Sequence, residues 1–475
     1  MALPRRLITP RGPFYRSPFP SLAPRQILSN IAFLSLRRNN STATTTTTTS
    51  AANPFPTDPN TQHLPLHGLK VLDLSRVLAG PFCTQILADY GASVLKVEQP
   101  GTGDETRLWR TQGETAQMWK ASHPLMSLYF ASINRNKRSM TLNLKDKRAV
   151  EMVKALASRS DVVVHNFLPG KAEGMGLGWE SLREVNPRLV YASVSGYGAT
   201  GPSSRRAGYD AIALAESGLL HITGERDGGP TKPGVAIADL CTGLYCHGAI
   251  LAGLRQRDAT GEGVRLDGSL FETGLSLLIN VGLASLNLDR EGGKRRRGGR
   301  YGLGHAALVP YGGFETGDGR MLFVAANNNR QWKMLCEVMG VRELSEVDKF
   351  GSNDGRVENR DEINGLLQQR FSQKTLTEWL EVFDGSGLPY GPINDVVEAL
   401  EDKQSLAREM VVDIGDFEAA KDGILRTIGP AVKFEGTKMQ VRRKPPLLGE
   451  HTDEVLAEMG YDEAGTKQLR HEGVV

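Results

Sequence analysis

The sequence predicts an α/β protein: a Rossmann-like large domain on a parallel sheet, joined to a smaller α+β domain. Short apolar runs alternate with helical patterns between residues 69 and 194, the arrangement of βαβ units. The chain of 475 residues is also longer than one hydrophobic core usually organises, so two domains are expected.

The elements follow in order. Residues 69–74 form an apolar run with strand character. Residues 81–90 read as a helix, with Pro81 at its start and Gly91 as its stop, and residues 93–97 as a second strand. Further strands are expected at 140–144, 161–165 and 189–194, with a helix at 148–157. Such a sheet places ligand sites at the C-terminal ends of its strands. No GxGxxG follows the first strand, which argues against a dinucleotide fingerprint. Residues 288–300, LDREGGKRRRGGR, read as a linker or exposed loop. Residues 309–400 then mix strand and helix, and residues 431–447 return to extended, Pro-containing chain.

Composition narrows the function classes. The hydrophobic content is 40%, without an uninterrupted apolar stretch near the ~20 residues of a membrane span. The four cysteines, Cys83, Cys241, Cys246 and Cys336, lack paired metal-ligand spacing and read as reduced thiols, so no metal site is expected. The first 57 residues contain arginines at 5, 6, 11, 16, 25, 37 and 38, no lysine and no acidic residue, and include a Ser/Thr/Ala tract at 41–50. That is the composition of a mitochondrial transit peptide, and it points to the matrix. Without those seven arginines the formal charge falls from +3 to −4, so nothing favours nucleic acid as a partner.

One acidic residue stands out. Asp239 follows Val235-Ala236-Ile237-Ala238 and precedes an apolar-periodic segment at 240–254. A carboxylate there can cap the helix, or it can act as a nucleophile, kept ionised by the helix N-terminus. The two roles are compatible. Cys241 beside it has no patterned His or Asn partner and reads as a small buried residue.

VLDLSRVLAGPFCTQILADYGASVLKVEQPGTGDETR, NRNKRSMTLNL, HNFLPGKAEGMGLGWE, YASVSGYGATGP, the block from RAGYD to IADL and PPLLGEHTDEVL together resemble the class III CoA-transferases. The resemblance runs over residues 66–475. RVLAGPF, RAGYDAIA, SGLLHITG, GLGHAALVPYG and GSGLPYGPIND are most similar to the mitochondrial succinyl-CoA:glutarate branch of that family. It implies a large CoA-binding and catalytic domain at 66–285, a small domain at 300–395, a C-terminal part at 400–475 returning to the large domain, and an interlocked homodimer.

By the same resemblance, the CoA contacts are Leu78, Ala79, Leu142, Asn166, Phe167, Lys171 and Tyr197. Two positions depart from the family pattern: Gln99 replaces a phosphate-binding arginine, and Gly174 stands where a basic residue is usual, so Lys171 is expected to supply charge. The turn at 77–80 reads equally as a tight strand-to-helix connection or a ligand contact. Arg135, Lys137 and Arg138 read as a solvated basic loop rather than a phosphate site.

The implied chemistry is attack of Asp239 on succinyl-CoA through an anhydride and an aspartyl-CoA thioester, with glutarate as the acceptor. CoA thioester is then a substrate, and no resident cofactor is expected. Gly302 and Gly304 read equally as oxyanion donors or turn residues, and Arg300 and His305 equally as partners for the acceptor's distal carboxylate or as part of a solvated basic loop and a hydrogen-bonded turn residue. One alternative is racemisation, but Tyr209 stands where racemases of the family carry a histidine base, and a phenol with a pKa near ~10 is a poor base at neutral pH. The other alternative is a non-catalytic CoA-binding protein.

Overall fold

Six strands form one parallel sheet in the order β3-β2-β1-β4-β5-β6: β1 (Lys70–Asp73), β2 (Ser93–Glu98), β3 (Lys137–Thr141), β4 (Val162–His165), β5 (Val190–Ser195) and β6 (Val264–Ser269). The computed structural model describes residues 53–56, 58–290, 294, 295 and 298–475. Register is fixed by apolar residues, with Val71 opposite both Val94 and Val162. Every residue of β4 is buried, as expected for a parallel strand covered on both faces.

Because successive side chains point to opposite faces, the sheet feeds two cores. Leu72, Leu95 and Met140 pack with Val153 and Leu156 of α2 (Lys147–Ala157) on one side. Val71, Val94 and Val164 pack with Cys83 and Leu87 of α1 (Ala79–Asp89) and with Ile250 and Leu254 of α4 (Ile237–Thr260) on the other. Between them in sequence lies the short α3 (Asp210–Glu216). The strand order reverses between β1 and β4, and a crevice opens at the strand C-terminal ends there.

The expected strand at 140–144 instead begins at Lys137, and the solvated loop expected around it is absent. Arg135, Lys137 and Arg138 are all buried. Each has an acidic partner: Asp89 at 2.7 Å for Arg135, Asp73 at 3.0 Å for Lys137, and Glu458 at 3.1 Å for Arg138. Pairing of this kind makes a polar strand compatible with burial.

The end of the N-terminal arm also departs from expectation. Phe55 is fully buried in the same core as Val153 and Leu456, and Pro54 accepts a hydrogen bond from Arg138. The rest of the transit-peptide assignment, residues 1–52 and 57, lies outside the described residues.

After β6 come α5 (Leu270–Ser276) and α6 (Ile279–Asn287). Within the segment read as a linker, Asp289–Arg290 pairs antiparallel with Lys294–Arg295. A smaller antiparallel sheet follows in the order β9-β8-β7, from β7 (Tyr311–Glu315), β8 (Met321–Ala325) and β9 (Tyr390–Pro392). It packs with Trp332, Phe371, Trp379 and Phe383 in a core of its own. Val455, Leu456 and Leu469, on the helices Thr452–Glu458 and Glu463–His471, belong to the first core of the large sheet. By length and composition α4 is apolar enough to cross a membrane, but Ala238, Cys246, Ile250 and Leu254 place one of its faces in the sheet core.

Candidate active site

The crevice is shaped by the connection from β1 to α1. Ser75 is fully wrapped, and a Cβ on Gly80 would sit 2.4 Å from the Ser75 Cβ, so only glycine allows the helix to start this close to the strand. Val77 has φ +70°, a left-handed conformation that is unusual for a β-branched residue. Across from it, α4 approaches α1 so closely that a Cβ on Gly243 would lie 2.8 Å from the Ala79 carbonyl oxygen. This contact sets the first turn of α4, and with it Asp239, against the 77–79 turn.

Asp239 does not cap α4. The helix begins after Ala236, placing Asp239 in the first turn, and the cap comes from Asp210, whose Oδ1 accepts the amides of Ala238 at 2.8 Å and Asp239 at 3.3 Å. Asp210 ends the RAGYD motif, next to Tyr209. An acidic residue opening one short helix and reaching the next has no local sequence signature. With Asp210 satisfying the free N–H groups, the Asp239 carboxylate is left without a hydrogen-bond donor among the described residues. Burial, and then the Asp210 carboxylate, push Asp239 up to about 7. The sequence expectation of a lowered value is therefore reversed: desolvation and a like charge outweigh the helix terminus.

Asp239 lines a cleft of about 810 Å³ with Arg76, Val77, Leu78, Ala79, Asn166 and Tyr209 among its walls. A second cleft, about 820 Å³, is lined by Gln99, Leu142, Lys145, Phe167, Lys171 and Met175. Arg76 and Phe167 line both. Six of the seven expected CoA contacts thus border one of two adjoining cavities at the C-terminal ends of β1 to β5. Lys145, beside Lys171, supplies a second cation that the motif reading missed. Tyr197 lines neither cleft; it packs near Phe271, with the Arg206 guanidinium 4.8 Å from its ring centroid. Asn166 is occupied by backbone, accepting from Arg76 N–H at 3.0 Å and donating to the Arg76 carbonyl at 2.6 Å.

The glycine loop is not assembled here within this chain. The Gly302 amide donates to the Gly224 carbonyl at 3.1 Å and that of Gly304 to Tyr301 at 2.7 Å. Both amides are used, so neither glycine serves as an oxyanion donor in this conformation. Arg300 donates to the His221 carbonyl at 3.0 Å, and its Nε is buried with no partner among the described residues. His305 accepts from the Ala307 amide at 3.1 Å and lies against Tyr311. Neither Arg300 nor His305 lines the Asp239 cleft. Burial, and secondarily Asp210, raise the Cys241 thiol, which keeps it protonated and unreactive.

The profile of CoA-transferase family III matches residues 66–452. An acyl-CoA transferase from Fusarium pseudograminearum is 48% identical over 86% of this chain and 88% of its own length. Succinyl-CoA:glutarate CoA-transferase from Homo sapiens is 43% identical over 86% of this chain and 90% of its own length. Among solved structures, a CaiB/BaiF family protein from Brucella suis superposes with a TM-score of 0.70 at 35% identity, covering 83% of this chain and 99% of that one. With its carboxylate on a capped helix at the mouth of a two-part cleft, this chain belongs to CoA-transferase family III.

Proposed function

We propose that the chain moves coenzyme A from succinyl-CoA to a dicarboxylate, glutarate first, with Asp239 as the nucleophile. The observation that carries this reading is the Asp239 carboxylate itself: half-buried, without a donor to blunt it, and facing a cleft that continues past Arg76 toward Lys145 and Lys171. An Asp239 oxygen attacks the thioester carbon and expels CoA thiolate, leaving a mixed anhydride. The thiolate attacks the aspartyl carbonyl, releasing succinate and leaving an aspartyl-CoA thioester. A glutarate carboxylate displaces the thiolate to form a second anhydride, and the thiolate takes the glutaryl group and frees Asp239. One thioester replaces another, so no ATP is consumed. Removing water from the carboxylate raises its nucleophilicity.

The human relative's name supports glutarate as the acceptor. A homodimer is supported by α6, whose Ile279, Leu283 and Leu286 are 72%, 65% and 66% exposed, an apolar stripe that the described residues of one copy leave uncovered. Arg300 and His305 are proposed for the acceptor's distal carboxylate, a reading supported by an Arg and a His set beside the glycines of RYGLGHAALVPYG. The mitochondrial matrix is supported by the Arg-rich, acid-free composition of residues 1–57.

The test is an acceptor panel with succinyl-CoA, run in heavy water. CoA appearing on glutarate, without α-deuteration of the acyl group, is the expected result. Deuteration without transfer would replace this reading with racemisation.

A further inference from the structure

Four side chains clamp the turn between β1 and α1. Asp73 accepts the Ser75 amide at 3.0 Å and its hydroxyl at 2.5 Å. Lys96 donates to the Ser75 carbonyl at 2.6 Å. Asn166 closes a reciprocal pair with the Arg76 backbone. Asp104 accepts the Val77 amide on both oxygens, at 3.1 and 3.2 Å. Every peptide group from Ser75 to the Val77 amide is thus tied to a side chain rather than to secondary structure.

Two of these clamps are charges held out of water. Lys96 and Asp104 pair at 3.0 Å with both side chains fully buried. Burial alone would lower the Lys96 ammonium, but Asp104, Asp73 and Glu98 hold it above its usual range. A buried pair of this kind is no efficient source of stability, since apolar residues of similar volume commonly do as well. What it does here is local. Asp104 binds the amide of Val77, whose φ of +70° lies in the left-handed region, where a β-branched residue is strained. Val77 in turn lines the Asp239 cleft and follows directly on Arg76, which lines both clefts.

We infer that Asp104 and Lys96 are positioning residues that hold the strained Val77 turn as the ridge between the two clefts, fixing the path of the acyl-CoA chain toward Asp239. The inference rests on reading the clefts as the CoA site. Without the clamp the turn relaxes, and the thioester is bound less well rather than attacked less well once bound.

The experiment compares wild type, Asp104→Asn, Val77→Gly and the double variant. In Asp104→Asn an amide NH2 faces the Lys96 ammonium. Hydrogen exchange of the 75–79 peptide, read without substrate, rises about tenfold while the rest of the sheet is unchanged. The KM for succinyl-CoA rises about tenfold, with kcat within about threefold of wild type. Glycine occupies the left-handed region unaided, so in the Val77→Gly background the same Asp104→Asn change costs less than about threefold in KM. Wild-type exchange and KM in Asp104→Asn, or an undiminished penalty in the glycine background, overturns the inference. Should Asp104→Asn not fold, Val77→Gly alone decides: relief of strain leaves its unfolding midpoint at or above that of wild type, and a lower midpoint overturns it. If the wild-type enzyme transfers no CoA from succinyl-CoA, the site reading fails, and the exchange experiment still decides whether the clamp exists.

Discussion

The Oδ1 of Asp210 accepts the backbone amide of Asp239 at 3.3 Å, so the group that orders the first turn of α4 is also a negative charge beside the proposed nucleophile. The two effects are separable by mutation. Asp210→Asn keeps an acceptor oxygen but removes the charge. The acidic limb of kcat/KM, expected near pH 7 in wild type because Asp239 is pushed up to about 7, then moves to lower pH. Since burial is the larger cause, the limb stays above the ordinary carboxylate range. A pH–rate profile showing the two limbs superimposed would falsify the electrostatic role.

The same displacement has a stability consequence of definite sign. Asp239 binds its proton more tightly folded than unfolded, so between the unfolded value of 3.8 and about 7 the native state holds a proton that the unfolded chain has lost, and stability falls as pH rises through this window. Asp239→Asn removes that term. At pH 8 the variant is more stable than wild type by on the order of 1–4 kcal/mol, and the advantage disappears below pH ~4. Transfer activity falls by more than about a thousandfold. Denaturant melts at the two pH values, with an activity assay, check both halves.

Phe55 separates two truncations that composition alone treats as equal. Deleting residues 1–52 leaves the described fold intact. Extending the deletion through residue 56 removes a fully buried ring from the core and costs on the order of 3–5 kcal/mol, as does Phe55→Ala. Thermal unfolding of the purified variants reads the difference. An equal melting point for the two deletions contradicts the packing of this segment.

Arg300→Met should raise the acceptor KM about tenfold, on the order of 1.4 kcal/mol, while leaving that for succinyl-CoA nearly unchanged. It should also narrow the preference for glutarate over butyrate, because only the distal carboxylate loses a partner. The buried, unpartnered Nε of Arg300 motivates the choice. His305→Ala is the weaker member of the pair, since its ring already accepts the Ala307 amide. Unchanged discrimination in both variants places the carboxylate site elsewhere.

Where apolar residues define an element, the sequence is readable: the strands at 69–74, 93–97, 161–165 and 189–194 each match an observed strand to within a residue at either end. β3 was misplaced because its first three residues, Lys137, Arg138 and Ser139, are polar, and the groups that permit their burial lie far away in the chain. Arg138 meets Glu458, and Ser139 donates to Glu98 at 2.6 Å. The same holds at the site. Asp239 was visible because an acidic residue among apolar ones is conspicuous, whereas its protonation depends on burial by the fold and, after that, on Asp210, 29 positions earlier. Lys96 and Asp104 were invisible for the same reason: each is an ordinary charged residue until the fold brings one against the other.

The first core of the sheet joins Phe55 to Leu469, whereas the core around Trp332 and Trp379 draws, among the described residues, on the stretch from Val309 to Tyr390. During synthesis the smaller unit therefore has all its partners while the larger is still missing a wall. Nucleation is expected in the middle of the chain, with the outer segments closing around it late, since long loops delay contacts between distant residues. Pulse-labelled hydrogen exchange during refolding should find protection at 309–388 before it reaches β1 and the C-terminal helices. An interval in which the large sheet stands unclosed, its strands open to pairing with another chain, would make this half of the molecule the origin of misassembly.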